Sequence, residues 1–546
     1  MHSTGEVLRY WNTLRHLKPI QILGRARFRF KPSIGEMARA PARRVSMGAW
    51  QAPIERPISL LGERHFLLLG VEYRLPDSGG WDDEAVDKLR RYNLHYFDDL
   101  AAPPARNGAA WHGAWIARWI AENPPRTGTG WEPYPTSLRI VNWIKWALAG
   151  NAVPECFDHS LALQARWLSR RLEWHLLGNH LFANAKALLL AGLFFIGDEA
   201  DEWRRTALRI LGREFPEQLL SDGGHFELSP MYHAIFVEDV LDMVNAAEHW
   251  KGALTAEVVK PWREALPAML NFLRGMTHPD GEIGFFNDAA IGIAPSYSMI
   301  AAYAARLGIA APPPSREGVQ SFSASGYARV SAGPATALLD LARVGPDYLP
   351  GHAHADTLSF ELSLGGRRLI VNGGTSEYGA GPVRHFERST AAHNTVAVDG
   401  EDSSEVWSGF RVARRAYPVD LQIASGPLLE VRCAHDGYRR LPGKVMHYRC
   451  WTFTPAGLTV EDRVSGKHGN AVARFLLVPD AEIAAIGSDG FEIRLDGERV
   501  VTVHVARGRS SIAEGWYSPR FGERLPTRCI EIMLDSGSSR VEFEWH

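Results

Sequence analysis

The hydrophobic period of this chain changes once, and that change limits what it can fold into. From about Asp82 to Leu307, apolar residues recur at helical spacing. TSLRIVNWIKWALAG, HLFANAKALLLAGLFFIG and IFVEDVLDMVNAAEHW are examples. The run APPPSREG at 311–318 then stops the pattern, because proline has no backbone donor and clashes with the preceding turn. Beyond it, MHYRCWTFTPAGLTVEDRVSG, RVVTVHVARG and RCIEIMLDSGSSRVEFEWH alternate with period two between Gly-containing turns. Successive helices without intervening strands suggest a bundle, a solenoid or an α/α toroid. The short alternating strands suggest stacked antiparallel sheets.

Polar chemistry concentrates in residues 349–400. There His352, His354, Asp356, Asn372 and His393 stand among the strand-like runs TLSFELSL, RRLIVNGG and HNTVAVDG. TLSFELSL alternates as a half-buried strand does, and the histidines fall at strand starts. His352-Ala-His354 puts both imidazoles on one face of an extended segment, and Asp356 continues that face. Such a pair suits two ligands, or one ligand and one acid/base group.

Two helical stretches add to this. GNHLFANAKALL places Asn179 and His180 at a helix start. In DGGHFELSPMYH, Ser229-Pro230 starts a helix, which puts Tyr232 in its first turn. There the helix dipole favours a phenolate, and a phenol of lowered pKa serves as base or acid. Trp131, in the turn-rich GTGWEPYP, is a candidate lining residue. Leu8, Trp11, Leu14 and Leu17 fall at helix spacing, so an N-terminal helix is expected, packed on the body in preference to touching a membrane through its Arg and Lys residues.

A net charge of −2 without a strongly basic block argues against nucleic-acid binding by a large electrostatic footprint. Four cysteines form no CxxC pair and no disulfide framework. The first thirty residues lack an apolar signal-peptide core, and the longest apolar stretch, roughly Ala187 to Ile196, is far short of a membrane span. These features lead to the expectation of a soluble protein, cytoplasmic by default, with a periplasmic location left open. They leave its oligomeric state open.

The stretches GNHLFANAKALLLAGLFF, DGGHFELSPMYH, GHAHADTLSFEL, NGGTSEYG and STAAHNTVAVDGEDSSEVWSGFRVARRA, in this order, resemble the heparinase II/III family of polysaccharide lyases. The resemblance runs from about Tyr92 to about Arg415. It implies an α+β multidomain architecture, an incomplete (α/α) toroid followed by an antiparallel β-sandwich. Residues 1–80 are then an arm packed on the body, 81–315 the toroid, and 316–546 the sandwich. LKPIQILGRARFRF and YNLHYFDDL resemble the branch found with bacterial exopolysaccharide synthesis.

The implied chemistry is β-elimination on a uronic-acid polysaccharide or oligosaccharide. The resemblance implies that Asn179, beside His180, holds the uronate carboxylate. Tyr232 is then the acid, and the base as well in a syn elimination, and His352 is the other base. Glu227, Trp131 and Arg388 are substrate-binding candidates. A structural divalent metal, zinc, maps onto His354, Asn372 and His393, where relatives commonly have Asp in place of Asn372. Two other classes remain. His-x-His-x-Asp also opens a metal-dependent hydrolase motif, although Thr357 stands where that motif has another histidine. A non-catalytic glycan-binding relative in exopolysaccharide assembly is the other.

Overall fold

Among the described residues, eleven α-helices precede the large sheets, in the order the period predicts. The structure is a computed structural model that describes residues 4–30, 38–103, 108–313, 316–426, 428–487 and 489–546. Pro314 and Ser315 of the expected linker lie outside the described residues. The arm carries α1 (Thr4–Leu14), α2 (Pro19–Phe28) and a three-stranded sheet spanning Leu60 to Arg74. The helical domain follows with α3 (Lys88–Tyr96), α4 (Gly108–Glu122), α5 (Pro133–Leu148), α6 (Phe157–Arg170), α7 (Gly178–Phe194), α8 (Asp198–Gln218), α9 (Pro230–His249), α10 (Ala256–Gly275) and α11 (Tyr297–Arg306). The apolar α7 packs against α5, α6, α8 and α9, which explains a sequence hydrophobic nearly all round.

The second half is antiparallel throughout its ladders. A five-stranded sheet runs from Gly318 to Ile370, an eight-stranded sheet joins strands between Pro418 and Trp545, and a four-stranded sheet includes Val396–Val398. One apolar core holds residues from all three sheets, among them Leu362, Trp451 and Phe475. Among the described residues, no helix is long and apolar enough to cross a membrane.

Two expectations need correction. TLSFELSL reads as half-buried, yet Phe360–Leu364 is buried on both sides. Phe360, Leu362 and Leu364 enter the sheet core. Glu361 and Ser363 face the helical domain. Glu361 accepts from the Phe285 backbone N–H at 2.9 Å and from His278 Nε2 at 3.0 Å, while Ser363 Oγ lies 2.8 Å from His278 Nδ1. The polar residues of the alternation are thus an interdomain contact rather than a wet face.

The other correction concerns the arm. Its inward residues are the buried Thr13 and Gln21, while Leu8, Trp11 and Leu14 are exposed. The helix expected to pack by its apolar stripe is held on another side, by Thr13 and the Tyr10 ring against Trp407.

Buried neutral histidines set an acid limit on this fold. Burial pushes His233 down to about 4, and its Nε2 donates to the Met269 carbonyl at 2.9 Å. Burial likewise lowers His95, whose Nδ1 accepts from Trp119 Nε1 at 3.0 Å. In the unfolded chain these groups take up protons near pH 6.5, so between there and about 4 the unfolded state binds more protons. Their contribution is complete above pH 6.5 and declines as pH falls. The melting temperature followed by circular dichroism should therefore drop steadily from pH 7 to pH 4. A flat profile over that range would contradict the assignment.

Candidate functional site

The two halves meet at a cleft of about 1370 Å³. Its walls include Tyr134, Asn179, His180, Glu227, Tyr232, His352 and Tyr378. Each is delivered by a local device. Ser229 caps α9 by accepting from the Tyr232 backbone N–H at 3.2 Å, an arrangement typically worth about 1 kcal/mol. Gly178 opens α7 with φ 53°, and a Cβ there would run into Leu349 and Glu227. Leu177, Leu228, Asn287 and Leu358 all have φ between 56° and 64°, a region unfavourable for such residues. Leu177, Leu228 and Asn287 stand within two residues of Asn179, Glu227 and Asp288 respectively, so backbone strain gathers around this site.

Asp288 is the hub. Its carboxylate is fully buried and takes two bonds from Arg384, one of them from Nη2 to Oδ2 at 2.8 Å. Oδ2 lies 2.9 Å from His352 Nδ1 and Oδ1 lies 2.9 Å from His354 Nε2. Burial alone would raise its pKa, but Arg384 and the two imidazoles hold it well below the usual range. The ionised carboxylate accepts Nδ1–H of His352, and Nε2, 3.4 Å from Glu227 Oε2, is left facing the cleft.

That nitrogen points at the helical domain. Asn179 Nδ2 is 3.3 Å from His352 Nε2 and donates to Glu227 at 3.0 and 3.1 Å. The Asn179 backbone N–H also reaches Glu227, at 2.9 Å. Tyr232 stacks on His352 with ring centroids 3.9 Å apart, and its hydroxyl is 3.1 Å from that of Tyr378. Burial, followed by the neighbouring Tyr378 and Tyr134, raises the Tyr232 phenol well above 10. The expected lowering by the helix dipole is therefore overturned: the residue is in the first turn, but desolvation outweighs the dipole and keeps it protonated.

His180 sits over Tyr134, centroids 4.5 Å apart, with Nδ1 3.2 Å from Glu173 Oε1. Burial would lower its pKa, but Glu173 raises it above the ordinary value. Asn184 holds Glu173 in turn, donating to Oε2 at 3.0 Å.

The other candidates divide. Glu227 is in the cleft wall, as described. Trp131 is only 3% exposed, packed on Trp119 with Nε1 donating to the Asn123 carbonyl, so it is a core residue rather than a lining one. Arg388 is fully buried and donates to the carbonyls of Ala353, Ser408 and Arg411, so it clips together loops behind the cleft wall, which Ser408 and Arg411 help to line, rather than lining it itself. The histidines are not at strand starts. His352 and His354 lie in an irregular loop ahead of Phe360–Leu364, and His393 follows a short 3-10 turn at Thr390–Ala392.

His354 Nδ1 and His393 Nε2 face each other at 3.2 Å. Two nitrogens bound at about 2.0–2.1 Å to one tetrahedral ion stand about 3.3 Å apart, so the pair fits a zinc ion. Burial lowers both imidazoles, His393 to about 4, which leaves them neutral as ligands must be. Asp288 on the far nitrogen of His354 is the usual orienting partner. The third donor fits less well. Asn372 is uncharged, and its Oδ1 accepts the Asn394 backbone N–H at 3.2 Å. Among the described residues, no three His, Cys, Asp or Glu side chains are grouped to hold a metal.

Sequence reasoning missed Asp288, Arg384 and Tyr378. Tyr378 lay within the NGGTSEYG stretch, overshadowed by Asn372. The signal for Asp288 was an Asn-Asp pair directly after two phenylalanines in GFFND, a polar pair with no solvent-facing periodicity. Arg384 lies one turn before Arg388 and carried no distinguishing local mark.

Breaking the buried Arg384–Asp288 pair should be severe. Arg384→Ala leaves an uncompensated carboxylate, and loss of one partner of such a pair typically costs about 3–5 kcal/mol. Urea unfolding should show that loss; a change under about 1 kcal/mol would mean water replaces the guanidinium.

The model for the Heparinase II/III N-terminus matches residues 81–305, and that for Heparinase II/III-like, C-terminal matches residues 314–545. A heparin-sulfate lyase of Bacteroides stercoris is 27% identical over 277 residues, 46% of this chain and 40% of that protein. One from Bacteroides thetaiotaomicron is 25% identical over 344 residues, 52% and 47% of the two. The chain spans less than half the length of these curated relatives. Among solved structures, one described as heparinase III superposes with a TM-score of 0.73 at 19% identity, covering 96% of this chain and 89% of that one. A heparan sulfate lyase from Pedobacter heparinus gives 0.58 at 19% identity, covering 96% and 87%. At these identities the structural likeness establishes the fold: a helical domain followed by antiparallel sheets.

Proposed function

The chain belongs to the heparinase II/III family, and on that premise we propose that it is a lyase cleaving uronic-acid polysaccharides or oligosaccharides by β-elimination. The observation that carries this reading is the stack of Tyr232 on His352 beside Asn179, three groups from both domains on one cleft wall. His352 Nε2 takes the C5 proton of the uronate. The C–H electron pair becomes the C4–C5 double bond as the C4–O bond breaks. The departing oxygen takes the proton of Tyr232, whose raised pKa keeps that proton available.

Charge builds on the uronate carboxylate as C5 loses its proton. Glu227 holds one N–H of the Asn179 amide, and the N–H now near His352 is the one the carboxylate takes. That exchange also bares His352 Nε2. His180, whose pKa Glu173 raises against the effect of burial, stands beside Asn179.

Most of the cleft's cations are already paired. Arg56 meets Glu238 at 2.6 Å, and Lys186 lies 2.6 Å from both Asp239 and Asp242. This balance supports a polymer whose main charge is its carboxylates. Placement in the exopolysaccharide-associated branch rests on LKPIQILGRARFRF and YNLHYFDDL. The glycan-binding alternative and the lyase separate in one experiment. Tyr232→Phe keeps the ring's packing, so stability should change by less than about 1 kcal/mol. Turnover on a panel of uronic-acid polysaccharides, read from ultraviolet absorbance of the unsaturated product, should fall about 10²–10⁴-fold. Retention of more than about a tenth of wild-type turnover would remove Tyr232 from the acid role.

The same proposal includes one structural zinc on His354 and His393 with the Asn372 amide. When bound, it would tie the loop carrying His352 to the strand region after His393. Elemental analysis of untagged protein, purified without chelator, should give about one equivalent, lost in His354→Ala. Metal far below that, unchanged by the substitution, would leave a hydrogen-bonded histidine pair.

A further inference from the structure

The arm presents its apolar residues to the outside. Val7, Trp11 and Leu14 fall at i, i+4 and i+7 on α1 and are 58%, 63% and 47% exposed. Ile22 and Leu23 on α2 are 60% and 70% exposed. This exposure is not the result of a loose arm. Trp407 Nε1 donates to Thr13 Oγ1 at 3.1 Å, and Gln21 Nε2 donates to the Tyr348 carbonyl at 3.1 Å. Lys18 pairs with Glu217, and Gly24 lies against the backbone of Trp174 and His175. The arm is thus held at both domains, with a set of large apolar groups left uncovered.

Charge accompanies them. Residues 4–30 contain Arg9, Arg15, Lys18, Arg25, Arg27 and Arg29 against the single acid Glu6, in a chain of net charge −2. Arg15, Arg25, Arg27 and Arg29 are exposed. Apolar residues beside arginines on two short helices match an interface-lying amphipathic element. The apolar groups enter the headgroup–acyl boundary, and the arginines reach lipid phosphates.

We propose that α1 and α2 dock the protein on an anionic phospholipid surface. A second copy fits this face poorly, because isologous pairing would bring two strongly basic patches together. A soluble polyanion would engage the arginines but leave Val7, Ile22 and Leu23 in water. Thr13, Leu17, Gln21 and Arg25 of the same arm also line the cleft. Docking therefore sets the cleft beside the membrane surface, where a polymer held there can enter it.

The test is co-sedimentation of the full chain with vesicles of phosphatidylglycerol and phosphatidylcholine, or of phosphatidylcholine alone. Binding is expected to the anionic vesicles and to weaken in high salt. The double variants Trp11→Ser/Leu23→Ser and Arg27→Glu/Arg29→Glu should each weaken it at least about tenfold, since each removes one of the two contributions. All four positions are exposed, and unchanged thermal melting would confirm that the variants fold. Absence of binding to anionic vesicles overturns the proposal, as does binding by both variants equal to that of the unsubstituted protein. So does lipid-free self-association abolished by the same substitutions, which would assign the face to a second copy.

Discussion

A single buried carboxylate organises the meeting of the two domains. Asp288 comes from the segment between α10 and α11, and the groups it holds come from the sheet half: Arg384, His352 and His354. An unpaired charge in that position would be strongly unfavourable, and the bidentate guanidinium is what makes it tolerable. Once ionised, it dictates which nitrogen of each imidazole carries a proton. One histidine then turns its other nitrogen to the cleft, and the other turns its own to His393. Acid–base and ligand functions are thus specified by the same oxygen pair.

The surroundings reinforce that arrangement by exclusion rather than by attraction. Gly178 lets Glu227 come close to the start of α7, and Glu227 then fixes the Asn179 amide. Tyr232, Tyr378 and Tyr134 crowd the same wall and keep the phenol protonated. Polar groups held this way lose little orientation when a substrate arrives, which is the condition under which hydrogen bonds favour a transition state.

Much of this was legible in the chain. The change of period marked the passage from helices to antiparallel sheets, and the cap at Ser229 put Tyr232 on the first turn of α9. Asn179, His180, Glu227 and His352 do share the cleft. What stayed hidden depends on contacts between distant segments. Trp131 looked like a lining residue because its loop is rich in turns, yet that loop folds inward onto Trp119. Arg388 and Arg384 differ by one helical turn, and only the partner across the domain boundary decides which one meets a carboxylate. The dipole argument for Tyr232 weighed a local field and had no means of weighing burial. The outward stripe on α1 reversed an otherwise sound rule, because periodicity reports a face without saying what covers it.

The strand Phe360–Leu364, enclosed on both sides, bears on how the molecule is assembled. Its inner side completes the sheet core, and its outer side binds His278 and the Phe285 backbone. During synthesis the helical half leaves the ribosome first. It therefore stands ready as a template when this strand emerges, and supplies partners for Glu361 and Ser363 that the nascent sheets cannot. Chain order and the order of burial coincide, so the last half to be made finishes against a surface already formed.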